Sequence, residues 1–348
     1  MTLEPPPGPA GVALAHVRAI DDVLAHYGWT RAGEPSPIPD SVLNHNYRVD
    51  TDAGPRFVRV HKKTRTRERI ELEHRVIGFA AEQGIPVNPP LPDGRGRTVH
   101  SSGGALVAVF PWQEHRTLRR GAIDETGAAL LGDVHGRIHA AMAEFDDPAL
   151  VSGKTGSSWD TEEAALALSR VDDLIRYYPA VSEEWVRIQA EIRFQLAILE
   201  SAEARPDTDF AALPTQPVHG DFHERNVLLA PNGDAVVAVV DWEMASRMPP
   251  VFELIRAADF TGVLAEPLMG AYLSASAANG TVSPADVAQG VEMWWQSCLH
   301  DTWAYAARFV QGDDRVTRFL NETGARVRRL ASAAYREWLA GSIRRLLA

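Results

Sequence analysis

Several features that are common in other protein classes are scarce in this sequence. There is one cysteine, Cys298, so an internal disulfide framework and a multi-cysteine metal site are both excluded. Basic residues are in deficit, because 35 Lys and Arg stand against 46 Asp and Glu, for a formal net charge of −11. A nucleic-acid-binding protein is expected to carry a basic face, and this balance argues against one.

Long hydrophobic runs are also missing. No stretch approaches 18 uninterrupted apolar residues, so no transmembrane helix is predicted. The first ten residues, MTLEPPPGPA, lack the basic and apolar regions of a signal peptide, and their proline content predicts disorder over residues 1–10. We therefore expect a cytoplasmic protein whose partners include neither nucleic acid nor a membrane.

The composition is otherwise that of an ordinary globular protein. The chain has 348 residues, of which 45% are hydrophobic and 23% charged, so wholesale disorder is excluded. At about 100–200 residues per domain, this length indicates about two domains. A chain of this size has room for a sizeable core, and an enzyme is the favoured class of protein.

Hydrophobic periodicity divides the chain into a small mixed part and a larger helical part, which is an α+β fold class. The first part predicts a helix that stops at Gly28, two strands around the turn at residues 52–54, a helix over residues 70–83 and a strand over residues 105–110. After Trp112 helical patterns dominate, at residues 127–145, 161–178, 181–201, 284–310 and 321–348. The predicted domains are therefore residues 1–112 and 113–348.

One segment interrupts the helical part and carries a group of polar residues. In PVHGDFHERNVLLAPNGDAVVAVVDWEMA, residues 217–245, two short strands flank a Pro-Asn-Gly-Asp turn. Pairing of these strands would bring Asn226 and Asp241 together, and their amide and carboxylate oxygens suit a hard cation such as Mg²⁺. Asp221 lies five residues before Asn226, where it would be placed to accept a hydroxyl proton.

The spacing of His219, Asp221 and Asn226, followed by an aspartate at a strand end, is the phosphoryl-transfer arrangement of protein kinases. With Gly220 after the histidine and Trp-Glu after Asp241, the segment resembles the aminoglycoside phosphotransferase and choline kinase superfamily, closest in character to homoserine kinase type II. The resemblance implies a bilobal protein-kinase-like fold. A small N-terminal antiparallel-sheet lobe would bind the nucleotide, and a larger, mostly helical C-terminal lobe would carry catalysis and substrate binding.

The resemblance also implies roles for individual residues. Asp221 would be the catalytic base, and Asn226 and Asp241 would be Mg²⁺ ligands, with turn or cap residues as the alternative reading. In RFVRVHKK the resemblance puts Arg59 on the ATP phosphates, and Glu73, which shares a helix face with apolar residues, would fix it. Lys62 is the alternative to Arg59. The other candidate nucleotide contacts are Ser41, Asn44 and Asn46 in a glycine-free loop, and Phe110 and Trp112 at the hinge.

The sequence leaves the acceptor open. An amino alcohol such as homoserine or choline, an amino sugar, an aminoglycoside and a macrolide are all compatible with it, and the acidic net charge offers weak support for a cationic amino sugar. Candidate substrate contacts are His223, Glu243, Trp295 and Asp301, for which structural roles and core packing are the alternatives. Glu253 stands where the family shows an aspartate, which favours a metabolic kinase over an antibiotic-modifying one.

The predicted function is therefore ATP- and Mg²⁺-dependent transfer of the γ-phosphoryl group to a hydroxyl of a small molecule. Two alternatives stay open at this point. A Ser/Thr protein kinase of the bacterial stress-response type would share the motif. A metal-dependent hydrolase would use His219, Asp221, His223 and Asp241 and would need no nucleotide.

Overall fold

The computed structural model describes residues 9–38, 44–153, 159–177, 183–201, 204, 210–262, 265–276 and 282–347. The chain forms two compact units. One comprises Met1–Thr117 and Asn226–Ala245, and the other comprises Leu118–Arg225 and Ser246–Ala348. The hairpin predicted at residues 227–240 is thus grouped with the N-terminal part of the chain. The assignment of nucleotide binding to residues 1–112 and of catalysis to residues 113–348 stays a prediction.

The strands are short, and all pair antiparallel within their sheets. Those found in the described residues are β1 (Ser36–Pro37), β2 (His45–Thr51), β3 (Gly54–Val60), β4 (His100–Ser102), β5 (Ala105–Pro111), β6 (Arg116–Thr117), β7 (Gln216–Val218), β8 (Val227–Leu229), β9 (Val236–Val239) and β10 (Ser246–Met248). The first unit holds a five-stranded sheet in the order β1-β2-β3-β5-β4 and a three-stranded sheet in the order β6-β8-β9. Strands β7 and β10 pair in the second unit.

Helices make up most of the second unit. The helices of the described residues are α1 (Pro9–His26), α2 (Arg67–Glu82), α3 (Glu125–Met142), α4 (Thr161–Arg176), α5 (Glu183–Leu199), α6 (Pro250–Thr261), α7 (Ala265–Ser276), α8 (Val287–Leu299), α9 (Trp303–Phe309), α10 (Thr317–Ala331) and α11 (Ala333–Leu347). Helices α1 and α2 belong to the first unit. The predicted α+β class, with an antiparallel sheet before a helical region, is confirmed. Within the described ranges, no helix has the length and apolarity needed to cross a membrane.

The predicted β2–β3 hairpin forms because its turn is locally satisfied. The hydroxyl of Thr51 accepts a hydrogen bond from the Ala53 amide at 3.2 Å and donates one to the Gly54 carbonyl at 2.7 Å. Gly54 has φ of +95°, a left-handed conformation that glycine adopts at low cost. The hairpin is therefore fixed in the register that pairs Asn46 with Arg59.

Helix α1 covers one face of this sheet. Its buried Ile20, Val23 and Leu24 pack in one cluster with Val58 on β3 and Val107 on β5. Burying such side chains contributes roughly 1.5–3 kcal/mol each, relative to leaving them in water. This core holds β3, and with it Arg59, in a fixed position.

Helix α2 ends close to the predicted position but begins at Arg67, three residues before the predicted start at Ile70. Thr66 caps its N-terminus by accepting a hydrogen bond from the Arg69 amide at 3.4 Å, and the chain leaves the helix through Gln83 and Gly84, which has φ of +72°. The inward face of α2 carries Glu73, which is buried among apolar neighbours.

In the second unit, α3 and α7 approach so closely that only glycine fits between them. A Cβ atom on Gly132 would lie 2.0 Å from the Leu268 carbonyl oxygen, and one on Gly136 would lie 2.4 Å from the Tyr272 carbonyl oxygen. This contact positions the buried α3 histidines, one of which hydrogen-bonds Tyr272.

Periodicity predicts two long helices near the C-terminus, at residues 284–310 and 321–348. These predictions are wrong, because each segment contains two helices. Residues 284–310 contain two helices, α8 and α9, and the Asp301 carboxylate in the break accepts a hydrogen bond from the Trp303 amide at 3.1 Å. Residues 321–348 are similarly divided, because Ser332 ends α10 and its hydroxyl accepts from the Tyr335 amide at 3.3 Å, starting α11. Side-chain acceptors of this kind start a new helix, and they do so here without interrupting the hydrophobic period.

Candidate active site

Asp221 lies on a loop of the second unit that follows β7. Gly220, with φ of +85°, turns the chain, and the Asp221 amide donates to Nδ1 of the buried His219 at 3.2 Å. The Asp221 carboxylate remains 30% exposed. Its Oδ1 accepts a short hydrogen bond from Nη2 of Arg256 on α6, and its Oδ2 lies 3.5 Å from Nε2 of His223.

These contacts keep the Asp221 carboxylate ionised. Partial burial alone would raise the pKa of Asp221, but the Arg256 charge and the hydrogen bond from His223 outweigh it and hold that pKa below its usual range. A carboxylate that stays charged at neutral pH can accept a proton from a hydroxyl group, provided that the hydroxyl is held within hydrogen-bond reach.

A network of hydrogen bonds around the buried Glu253 fixes the loop that carries Asp221. Oε1 of Glu253 accepts a hydrogen bond from the Gly220 amide at 2.5 Å, while its Oε2 lies 3.2 Å from Nε2 of His135 and 2.9 Å from Nε2 of His139. Burial raises the pKa of Glu253, but the two histidines more than compensate and hold it well below its ordinary value. Glu253 thus anchors the backbone beside Asp221.

Among the described residues, one group of side chains has ligand atoms close enough together to hold a metal ion. It consists of His135, His139 and Glu253. Their mutual hydrogen bonds already satisfy the carboxylate. None of the four residues of the hydrolase alternative belongs to this group.

Three buried histidines give the protein a predictable acid sensitivity. Burial is the largest cause that lowers the pKa of His61 to about 2, of His74 to about 3 and of His135 to about 4. The unfolded chain, with histidine pKa values near 6.5, therefore binds more protons below pH 6.5 than the folded chain does. Stability should fall as the pH falls, by about 1.4 kcal/mol per histidine between pH 7.5 and 5.5.

Urea unfolding at the two pH values measures this loss, which should total about 4 kcal/mol for the three groups. His61→Leu should lower by about one the number of protons that the protein takes up on unfolding at pH 5.5. A free energy of unfolding that is constant between pH 5.5 and 7.5 would contradict the prediction.

In the first unit, the structure joins Arg59 and Glu73 as expected from the sequence. Nη1 of Arg59, on β3, lies 3.1 Å from Oε1 of Glu73 on α2 and 3.7 Å from Oδ1 of Asp241. Burial lowers the pKa of the Arg59 guanidinium, but the carboxylates of Asp241, Glu73 and Glu243 outweigh it and raise that pKa above its usual value. Arg59 is therefore a permanently charged group held in place on both sides.

Arg65 was not identified from the sequence, although it links two of the predicted residues. Its Nη2 lies 2.9 Å from Oε2 of Glu73, and its Nη1 donates to the Glu243 carbonyl at 3.2 Å. The buried Glu243 carboxylate also accepts from Nδ2 of Asn44 at 3.1 Å and lies 3.8 Å from Nζ of Lys62. Asn44 and Glu243 are thus brought together in a structural network, and Lys62 contacts that network rather than Glu73.

Asn226 and Asp241 lie at the same end of the β8–β9 hairpin. The Asn226 carbonyl accepts a hydrogen bond from the Val240 amide at 2.9 Å, and Asp241 follows directly. Asp241 has φ of +68°, the one non-glycine residue with a left-handed backbone among those described. The amide of Asn226 and the carboxylate of Asp241 offer hard oxygen donors, so the residues present fit Mg²⁺. The backbone strain at Asp241 is of the kind found at functional sites.

The remaining candidates lie in varied surroundings. Ser41 lies outside the described residues. The Phe110 ring packs edge-on against Phe57, and the Trp112 indole donates to the Glu114 carboxylate at 2.8 Å. Trp295 is 2% exposed and lies under the Arg336 guanidinium, so its ring belongs to the core.

Residues 34–285, more than two thirds of the chain, match the phosphotransferase enzyme family. The chain belongs to this family. The resemblance read from the His219–Asp241 motif is therefore confirmed, and a phosphotransferase, rather than a hydrolase, is the class of enzyme that its family supports.

Individual relatives are distant. A homoserine kinase from Polaromonas naphthalenivorans (strain CJ2) is 24% identical over 216 residues, which cover 60% of this chain and 61% of the relative. Among solved structures, a spectinomycin phosphotransferase in complex with ADP and spectinomycin matches with a TM-score of 0.63 at 13% identity, over 95% of this chain and 98% of the other. An amicoumacin kinase with AMP-PNP and Ca²⁺ matches with a TM-score of 0.57 at 13% identity, over 93% of each chain. At these identities the structural likeness concerns the fold.

Proposed function

We propose that this phosphotransferase transfers the γ-phosphoryl group of ATP, with Mg²⁺, to a hydroxyl group of a small molecule. The observation that carries the proposal is the ionised Asp221, which is partly exposed and paired with Arg256 in a chain of the phosphotransferase enzyme family. Relatives with the same fold were solved with ADP or AMP-PNP, and the homoserine kinase relative acts, by its name, on a hydroxyl-bearing amino acid.

On the acceptor side, Asp221 orients the attacking hydroxyl and accepts its proton. Its pKa lies well below that of a hydroxyl, so full deprotonation before attack is not expected, and the proton moves as the new bond to phosphorus forms. Arg256 and His223 hold the carboxylate in place. The Glu253 hydrogen bond to the Gly220 amide fixes the loop, so that most of the rate acceleration comes from positioning.

On the nucleotide side, Arg59 pairs with the phosphate oxygens of ATP. Glu73 holds Arg59 in place, and Arg65 in turn holds the Glu73 carboxylate. Asn226 and Asp241 would hold Mg²⁺, which when bound supplies positive charge to the phosphate oxygens. Asn46 on β2 pairs with Arg59 across the hairpin, and its buried Oδ1 has no hydrogen-bond partner in the described part of the chain. Ser41, Asn44, Phe110 and Trp112 stay candidate nucleotide contacts, Phe110 and Trp112 through their backbone.

The proposal is tested by measuring the release of ADP with a coupled enzyme assay, in the presence of each member of a panel of hydroxyl compounds. We expect ATP with Mg²⁺ to raise the unfolding temperature, because a ligand that binds the folded state stabilises it, by about 2.7 kcal/mol at 100 times its Kd. We also expect ADP release to depend on the hydroxyl compound. Absence of stabilisation by ATP, or cleavage of a phosphate ester in the absence of nucleotide, would contradict the proposal.

A further inference from the structure

Beside Asp221, the second unit carries a cluster of arginines around one aromatic ring. Phe260, in the last turn of α6, has the guanidinium carbons of Arg120, Arg326 and Arg256 at 4.2, 4.9 and 5.1 Å from its ring centroid. Arg326, on α10, also lies 5.7 Å from the ring of Trp294, which Arg256 contacts at 5.9 Å. We call Arg120, Arg256 and Arg326 the arginine cluster.

Two members of the arginine cluster are neutralised by carboxylates. Nε of Arg120 lies 2.9 Å from Oε1 of Glu224, and its Nη1 lies 2.8 Å from Oε2 of Glu322. Arg256 forms its ion pair with Asp221. Each of these guanidinium groups thus has an acidic partner in the folded chain.

Arg326 differs from them. Over the residues that the structure describes, no carboxylate oxygen lies within 4.0 Å of its guanidinium, and its contacts are with the two aromatic rings. The carboxylate of Asp259, which also contacts Trp294, pairs with other groups. It accepts hydrogen bonds from Trp294 at 3.2 Å, from Arg329 at 2.9 Å and from Tyr335 at 2.7 Å. Arg326 is only half-buried and is therefore accessible to a ligand.

The result is an unbalanced positive charge next to the proposed base. Arg326 and Arg256 lie against the same two aromatic rings, Phe260 and Trp294, and Arg256 forms the ion pair with Asp221. Arg326 is thus connected to the proposed base through these shared contacts. A guanidinium on an aromatic surface is suited to bind a carboxylate through two parallel hydrogen bonds. A polycationic acceptor would instead meet charge of its own sign.

We infer that the acceptor of this enzyme carries a carboxylate and that Arg326 binds it, which makes Arg326 a specificity-determining residue. The inference rests on the proposed function, since it names the class of acceptor for that reaction. Hydroxy acids and hydroxy amino acids are then substrates, whereas aminoglycosides are not. The acidic net charge of the whole chain, −11, does not describe this local environment.

The test compares acceptors that differ only in the carboxylate. L-Homoserine is paired with 3-aminopropan-1-ol, L-serine with ethanolamine and gluconate with sorbitol, and spectinomycin is added as a cationic acceptor. We expect the preferred acceptor to be a carboxylate-bearing member. Arg326→Met, which keeps apolar packing on the two rings, should raise the KM for that acceptor by about 10- to 100-fold and leave the KM for ATP within about 2-fold. Arg326→Lys should restore part of the loss, because it retains the charge.

Arg328→Met is the matched control on the same helix, since Arg328 is exposed and pairs with Glu191 at 2.9 Å, and it should leave all constants unchanged. The unfolding temperature of each variant establishes that it is folded. Preference for a neutral or cationic acceptor, or an Arg326→Met effect that falls on the KM for ATP, would overturn this inference and leave the proposed function intact. Failure of every acceptor to be phosphorylated would overturn the proposed function, and this inference with it.

Discussion

Asp221→Asn is expected to lower kcat by about 10³-fold or more, the upper part of the range for loss of a general base. The asparagine side chain can still accept a hydrogen bond from Arg256, so the loop should keep its place, but it cannot accept the proton of the acceptor hydroxyl. Binding of ATP should be little changed, because Asp221 is not among the proposed nucleotide contacts. Single-turnover kinetics and an independent measurement of the Kd for ATP separate these two effects.

The matched control is Asp234→Asn, which removes a carboxylate from the exposed turn of the β8–β9 hairpin. It should retain full activity. An Asp221→Asn enzyme with at least a tenth of the wild-type kcat would show that Asp221 orients the acceptor without taking up its proton.

Removal of the Asp241 carboxylate should have an effect of similar size. If Asp241 holds Mg²⁺, Asp241→Asn should cost about 4 kcal/mol of transition-state stabilisation, or about 10³-fold in kcat, since the metal neutralises several kcal/mol of developing charge. ATP with Mg²⁺ should raise the unfolding temperature of the wild type, and EDTA should abolish part of that rise. This EDTA-sensitive part should be missing in Asp241→Asn.

The unusual backbone of Asp241 allows activity and stability to be separated. Asp241→Gly and Asp241→Ala both remove the carboxylate, but only glycine adopts φ of +68° without strain. The glycine variant should therefore be about 1 kcal/mol more stable than the alanine variant, although both should be inactive. Equal free energies of unfolding would contradict the strain assigned to this residue, and an active alanine variant would contradict its role.

Local sequence rules predicted the elements whose determinants lie within a few residues of each other. The β2–β3 hairpin follows from its turn, and α2 follows from its hydrophobic period and Gly84. The proximity of Asn226 and Asp241 follows from the pairing of two short strands. The inward face of α2 also predicted the ion pair of Glu73 with Arg59, because a charge on an apolar face needs a partner.

Other features depend on contacts between distant parts of the chain, which no local pattern encodes. Arg256 is 35 residues from Asp221, and the arginine cluster joins residues that are about 200 positions apart in sequence. The breaks at Asp301 and Ser332 lie inside hydrophobic periods that continue across them, so periodicity alone merged the helices on either side.

The length of the chain indicates about two domains but does not show which segments they contain. The hairpin at Asn226–Ala245 belongs to the first unit although it follows more than 100 residues of the second. The pairing of two short strands predicts that Asn226 lies near Asp241, but the contact of Asp241 with Arg59 depends on this return of the chain to the first unit.

The most direct test of the central claim is ³¹P nuclear magnetic resonance of the wild-type enzyme with ATP, Mg²⁺ and a panel of hydroxy acids that includes L-homoserine. Transfer to a hydroxyl predicts a new phosphate monoester resonance that grows in step with ADP and is absent without acceptor. Formation of ADP with inorganic phosphate alone, or no consumption of ATP with any acceptor, would contradict it.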